Sequence, residues 1–262
     1  MTTAAQAFLQ QTFDITRKTA LITGGSKGLG KRVAEALSSA GANVAICSRN
    51  KDEAQQVAAA MAESSGIKAA GYRCDVASKT EVEKLVREVT NDFGSIDIVI
   101  ACAGINIRKE TKDLTEADWD DVIDINLKGS FLVAQAVLPL MYEQNWGRII
   151  FFGSNQSVIS IPNRSPYGAS KSGILGLTRT LALESATKNV CVNAVCPGPF
   201  RTPMNEVVMQ DKAAYTEFIR KLPIGRWGEP EELDGLMIYL SSNACSFMTG
   251  STILIDGGWT AH

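Results

Sequence analysis

The sequence predicts an α/β fold: a single-domain, Rossmann-type doubly wound parallel sheet of about seven strands with helices on both faces. Three observations lead there. Short β-rich runs alternate with amphipathic helical stretches along nearly the whole chain, runs such as Ile98-Val99-Ile100-Ala101 are apolar on both faces, and the first run opens directly into a glycine-rich turn.

Residues 1–16 read as a polar arm with a few apolar anchors, Phe8, Leu9, Phe13 and Ile15, and are assigned no element. Residues 17–262 read as a single domain. Its first strand covers Thr19 to Thr23, followed by a helix whose core-facing stripe is Leu29, Val33 and Leu37. Strands follow at Asn43 to Cys47 and Ala69 to Cys74. A second amphipathic stripe, Val82, Leu85, Val86, Val89 and Phe93, leads to a fourth strand at Ile96 to Cys102. An apolar helical stretch from Val122 to Val133 precedes the fifth strand, Arg148 to Phe152. A helix over 167–184 then leads to strands at Val190 to Val195 and Thr252 to Ile255. Between the last two, residues around 198–228 carry Pro199, Pro203 and Pro223 and the apolar Met204, Val207, Val208, Met209 and Phe218. They read as an irregular flap able to close over a substrate.

With 262 residues, 45% of them apolar, there is ample chain for a sizeable core, and a net charge of -2 offers no field for holding a nucleic-acid backbone. Nucleic acid is excluded as an expected partner. The longest apolar runs, such as residues 96–104, are much shorter than a bilayer span, and the N-terminus lacks a basic region followed by an apolar segment. A cytoplasmic protein with no membrane partner is expected. Cys47, Cys74, Cys102, Cys191, Cys196 and Cys245 form no C-x-x-C pair and sit mostly in strand-like runs, as reduced core thiols do. The only histidine is the terminal His262, so no metal site is expected.

The turn Thr23-Gly24-Gly25-Ser26-Lys27-Gly28-Leu29-Gly30 lies where a doubly wound fold cradles a pyrophosphate: its glycines let the backbone turn sharply and approach closely, and a helix begins behind it. Two other motifs overlap it. Gly24 to Gly28 fits the G-x-S-x-G elbow of hydrolases, which needs an interior histidine that this chain lacks. Gly25 to Lys31 nearly fits the triphosphate loop, but Arg32 stands where a magnesium-holding hydroxyl belongs. At the end of the second strand, Ser48 and Arg49 suit a 2′-phosphate, with Lys27 adding a second charge. NADP(H) is therefore favoured, while Asp52 and Glu53 nearby leave NAD(H) possible.

Tyr167 and Lys171 are four apart and share a helical face, with Ser154 thirteen residues upstream of Tyr167 at the close of the fifth strand. Without an interior histidine, Tyr167 is the leading proton donor, and a neighbouring ammonium is expected to lower its pKa.

Taken together, these residues resemble the short-chain dehydrogenase/reductase family from Phe13 to Gly258. Residues Thr23 to Gly30 are similar to its T-G-x-x-x-G-x-G, Asp75-Val76 to its adenine-side pair, Asn126 to its helix asparagine, and Ser154, Tyr167 and Lys171 to its catalytic trio. Pro197-Gly198 with Thr202 resembles the segment that holds the nicotinamide carboxamide. The family's N-N-A-G is here Ala101-Cys102-Ala103-Gly104, which removes two amides yet keeps Gly104 for close approach. The resemblance implies hydride transfer between a nicotinamide and a carbonyl carbon. Tyr167 would donate the proton, Ser154 would stabilise the alkoxide, Lys171 would hold the ribose, and Asn126 would either join a proton relay through a water or brace its helix. It also implies a homotetramer.

Asn106, Arg108, Gln156, Asn163 and Arg164 are the expected substrate-facing residues. Such amides and guanidinium groups suit a polyhydroxylated ketone or sugar acid. Ser154-x-Gln156-Ser157, Gly225-Arg226-Trp227-Gly228 and the tail from Ser241-Ser242 to Gly257-Gly258 are similar to gluconate 5-dehydrogenase-type members. A 3-oxoacyl-[acyl-carrier-protein] reductase is the nearest rival within the family, and a nonenzymatic dinucleotide-sensing module the rival outside enzymes.

Overall fold

Thr19–Thr23, five residues without an exposed side chain, form β1, the strand from which the sheet grows in both directions. The computed structural model describes residues 3–261; the first two residues, His262 and the side chain of Val207 lie outside that description. β1 pairs in parallel with β2 (Asn43–Ser48) on one side and β4 (Ile98–Ala101) on the other. With β3 (Ala69–Arg73), β5 (Gly147–Phe152), β6 (Val190–Pro197) and β7 (Thr252–Ile255), the order is β3-β2-β1-β4-β5-β6-β7. The chain builds outward through β3 and then crosses back to β4, so the order reverses between β1 and β4. Ligands bind doubly wound sheets at that reversal, outside the carboxyl ends of the strands.

Helices cover both faces. α1 is Ala4–Phe13, α2 Gly28–Ser39, α3 Lys51–Ser65, α4 Lys79–Phe93, α5 Glu116–Ile123, α6 Gly129–Gln144 and α7 Ser165–Ser185; α8 (Glu206–Gln210), α9 (Lys212–Arg220) and α10 (Asp234–Ser241) follow. Local chemistry sets the ends of several. Asn50 and Ser78 accept from backbone N–H groups in the first turns of α3 and α4, and Gly66 (φ 66°) and Gly94 (φ 85°) end them in the left-handed conformation. One core, centred on Leu21, Val99, Ile149 and Val192, lies beneath α4, α6 and α7; the other, centred on Ile22, Ile46, Ile100 and Ile150, lies beneath α2, α3 and α10.

Three segments differ from the sequence expectation. The arm forms a helix, α1, opened by a Thr3/Gln6 capping box, and it buries none of its side chains. The fourth strand starts at Ile98, and just before it the Asp97 carboxylate accepts from Thr19 N (2.9 Å), Lys18 Nζ (3.0 Å) and Ser95 Oγ (2.9 Å). Residues 203–220, expected to be irregular, form α8 and α9 after a 3-10 turn. Asp211 caps α9, and Val208, Met209 and Phe218 pack with Trp227 and Trp259 into a small separate core. The continuous helical run Glu116–Gln144 is long and apolar enough to cross a membrane on length and composition alone. Half of that stretch is buried inside this protein, as a core helix would be.

Candidate active site

Where the strands end, a cleft of about 560 Å³ opens, floored by the turns after β1, β2, β4, β5 and β6 and roofed by Met204, Asn205 and Phe218. On its floor Gly24 adopts φ +66° and donates its N–H to the Cys47 carbonyl at 3.0 Å. A Cβ there would sit 2.9 Å from Ala103 Cα, and one at Gly30 would sit 2.4 Å from the Gly24 carbonyl oxygen, so both positions demand glycine. α2 begins without a side-chain cap, which leaves its first-turn N–H groups to the cleft wall that Gly28, Leu29 and Gly30 form. Uncapped N–H groups and the positive end of a helix dipole suit a phosphate, so these residues fit the pyrophosphate of a dinucleotide.

Farther along the cleft lie Ser48, Arg49, Asp75 and Val76. Ser48 Oγ, expected to be a donor towards a 2′-phosphate, instead donates to the Asn50 carbonyl at 2.7 Å. Lys27, expected to add a charge there, pairs with Glu53 at 2.7 Å. That ammonium, followed by the Ser26 hydroxyl, holds the Glu53 carboxyl below its usual range.

At the other end stand Ala103, Gly104, Asn106, Ser154, Asn155, Gln156, Arg164, Tyr167, Lys171, Pro197, Gly198 and Thr202. Ala103 N donates to Thr23 Oγ1 at 3.3 Å, bracing β4 against β1 in a motif that has lost its two amides. Asn126 lies behind this wall, completely buried in a π-helical turn, Asp124–Lys128, between α5 and α6. Its Oδ1 accepts from Ile105 N at 2.8 Å, and its Nδ2 donates to Ile105 O and Ser170 Oγ, both at 3.0 Å. These contacts make its side chain a brace between the strand-end loop and α7.

α7 places Tyr167 and Lys171 one turn apart on the cleft side. Lys171 Nζ donates to the Phe152 carbonyl at 2.6 Å and lies 5.8 Å from the centre of the Tyr167 ring. Burial pushes the Tyr167 phenol above its usual pKa, opposed by the Ser154 hydroxyl and then the Arg164 charge. Lys171 is not among these influences, so the expected lysine-driven lowering gives way to a rise dominated by desolvation. Burial also pulls Lys171 itself down to about 8.

Of the expected substrate-facing residues, Asn106, Gln156 and Arg164 line the cleft. Arg108 and Asn163 do not. Arg108 Nη2 donates to Met204 O (3.3 Å) and Asn205 Oδ1 (3.4 Å), and Asn163 is an exposed left-handed turn residue (φ 66°) whose carbonyl accepts from Lys109 N. The sequence reading missed Asn155. Its Oδ1 accepts from Ser154 Oγ at 3.2 Å, and its Nδ2 is buried without a partner. A polar residue in the short turn after a fully buried strand was the available signal.

A family model described as "Enoyl-(Acyl carrier protein) reductase" matches residues 24–260. A short-chain type dehydrogenase/reductase from Mycobacterium marinum superposes with a TM-score of 0.92 at 40% identity, covering 97% of this chain and 100% of that one. This chain belongs to the short-chain dehydrogenase/reductase family. As a short-chain dehydrogenase/reductase it is an oxidoreductase that acts on CH–OH and C=O groups, and its seven-stranded sheet is the family's Rossmann-type fold. This short-chain dehydrogenase/reductase is also 37% identical over 242 residues to the 3-oxoacyl-[acyl-carrier-protein] reductase of Aquifex aeolicus, covering 92% of this chain and 96% of the relative. A gluconate 5-dehydrogenase from Burkholderia cenocepacia, solved in complex with NADP and tartrate, superposes at TM-score 0.94 with 34% identity, covering 97% and 99% of the two chains.

Proposed function

We propose that the protein reduces the ketone of a small polyhydroxylated compound, a sugar or sugar acid, or oxidises the corresponding secondary alcohol, with NADP(H) favoured as cofactor and NAD(H) possible. The observation that carries the substrate reading is the polar lining around Tyr167. Asn106, Asn155, Gln156 and Arg164 line the same cleft as Tyr167. A ligand bearing several hydroxyls pairs with amide and guanidinium groups of this kind, whereas an acyl chain leaves them without partners. The relative solved with NADP and tartrate supports the same direction.

The nicotinamide, when bound, supplies or accepts the hydride. Tyr167, kept protonated by burial, donates its proton to the carbonyl oxygen as negative charge develops there. Ser154 stabilises that oxygen. Lys171, anchored on the Phe152 carbonyl, contributes positive charge and holds the ribose, and Asn126 keeps α7 and the loop after β4 in register. Arg49 and the glycine turn would hold the dinucleotide's phosphates, Asp75 and Val76 would flank its adenine, and Pro197, Gly198 and Thr202 would border its carboxamide; all of them line the cleft. α8 and α9 act as the flap over the substrate.

Two surface features support a homotetramer. Phe131 (39% exposed) and Leu183 (82% exposed) lie outward on α6 and α7, and Leu254 is exposed on β7, the edge strand. Six thiols, five of them buried and all unpaired among the described residues, support a cytoplasmic setting.

The test pairs substrates with a variant. Keto-gluconate turned over well ahead of acetoacetyl thioesters supports the reading; the opposite order favours a 3-oxoacyl-[acyl-carrier-protein] reductase. Tyr167→Phe is expected to bind the dinucleotide as wild type does while turnover drops by about 10²–10⁴. Unchanged turnover refutes Tyr167 as the acid.

A further inference from the structure

Glu53 belongs to the first turn of α3, yet its carboxylate reaches across to the glycine turn between β1 and α2. Its Oε2 accepts from Ser26 Oγ at 3.0 Å, and its Oε1 pairs with Lys27 Nζ at 2.7 Å. All three residues line the cleft where Arg49 and Asn50 leave β2. Asn50 Oδ1 accepts from Glu53 N at 3.3 Å, which fixes the start of α3 and aims its first turn at the glycine turn. Arg49 is exposed beside this cluster and forms no ion pair among the described residues.

We propose that Glu53 sets the choice between NADP(H) and NAD(H) by withholding Lys27 and Ser26 from a 2′-phosphate. The inference rests on the dinucleotide reading given above. Two cations and a hydroxyl stand at this end of the cleft, a set suited to a dianionic phosphate. One carboxylate occupies both the hydroxyl and the nearer cation, and it repels a phosphate with its own charge. The same carboxylate accepts a hydrogen bond from a free 2′-hydroxyl. Arg49 and Glu53 therefore pull in opposite directions, and this enzyme accepts both dinucleotides with a modest ratio. Removing the Glu53 charge leaves Ser26, Lys27 and Arg49 acting together on the phosphate. Side-chain exposures of 66% for Lys27 and 31% for Glu53 keep the effect to a few-fold, because solvent screens the pair.

The test uses the full chain and two fragments that carry no nicotinamide, 2′,5′-ADP and ADP, titrated by calorimetry. Glu53→Gln and Glu53→Ala are both expected to bind 2′,5′-ADP about fivefold more tightly than wild type, with ADP binding unchanged or weaker. Lys27→Met is expected to weaken 2′,5′-ADP binding less than about twofold in the wild-type background and about fivefold in the Glu53→Gln background. The proposal is overturned if both fragments change alike, or if Lys27→Met has the same effect in the two backgrounds. If neither fragment binds the wild type, the dinucleotide reading falls and the inference falls with it.

Discussion

The ammonium of Lys171 is held by the carbonyl of Phe152 at 2.6 Å, which ties α7 to the last residue of β5. This contact fixes the charge beside the cleft floor without neutralising it, because a carbonyl is only a dipole. Burial brings the Lys171 pKa from 10.5 to about 8, so its charge titrates close to physiological pH. In the proposed mechanism, reduction needs that charge near the developing alkoxide. The value of kcat/KM for ketone reduction is therefore expected to fall as pH rises through about 8, and Lys171→Arg is expected to remove that inflection from whatever activity remains. A profile flat from pH 7 to 9 in the wild type would contradict the assignment.

The same shift acts on stability. Between about 8 and 10.5 the unfolded chain binds more protons at this lysine than the folded chain does. The lysine's burial penalty is complete below about 8 and fades as pH rises towards 10.5. Urea unfolding of wild type and Lys171→Met at pH 7.5 and 9.5 checks the sign: the variant's advantage, measured as the difference in unfolding free energy, should shrink at the higher pH.

Most of this arrangement was legible in the sequence because it depends on local rules. The sheet strands announce themselves as short β-rich runs, and Tyr167 and Lys171 share a face by helical spacing alone. What stayed hidden depends on which partner a polar side chain selects. Glu53 reaching Ser26 and Lys27, Ser48 turning to Asn50, and Arg108 bonding to Met204 and Asn205 are all choices among several nearby partners, which spacing does not decide. The helices in the flap were hidden for another reason. α9 has only nine residues and lies between Pro203 and Pro223, so breaker signals outweigh its short apolar stripe.

Asn155 offers a separable pair of roles. Its Oδ1 accepts a hydrogen bond from the Ser154 hydroxyl, while its Nδ2 is buried beside the cleft without a partner among the described residues. Asn155→Asp keeps the acceptor and loses the donor, so KM for a polyhydroxylated ketone should rise about tenfold while kcat falls less. Asn155→Ala loses both, and kcat should fall about tenfold as well. Steady-state kinetics on the two variants tells these apart; identical behaviour would show that the donor does nothing.

Arg164 is a largely buried guanidinium at the mouth of the cleft, 5.7 Å from the Phe218 ring centre. Burial first, and then the like charge of Arg108, pull its pKa down to about 10. A cation that disfavoured gains from an anionic ligand, so a sugar acid should bind better than its neutral counterpart. Arg164→Gln is expected to raise KM for the acid by about tenfold and to leave a neutral ketose nearly unaffected. Equal effects on both substrates would assign Arg164 to holding Phe218 and the flap.

Gly30 tests the close approach on which the cleft floor depends. An added Cβ would meet the Gly24 carbonyl oxygen at 2.4 Å and its carbon at 3.0 Å, both backbone atoms of the turn that faces the pyrophosphate site. Neither can yield the way a flexible side chain does, so α2 must back away from β1 or the turn must open. Gly30→Ala should therefore destabilise the fold by about 1–3 kcal/mol, a drop in Tm of roughly 2–12 °C for a chain of this size. ADP binding should weaken more than the stability loss alone accounts for, since the displaced turn is the proposed phosphate cradle. Thermal unfolding with and without saturating ADP measures both effects. A variant with wild-type Tm and wild-type ADP affinity would mean that the turn and α2 are not held together as tightly as this contact requires.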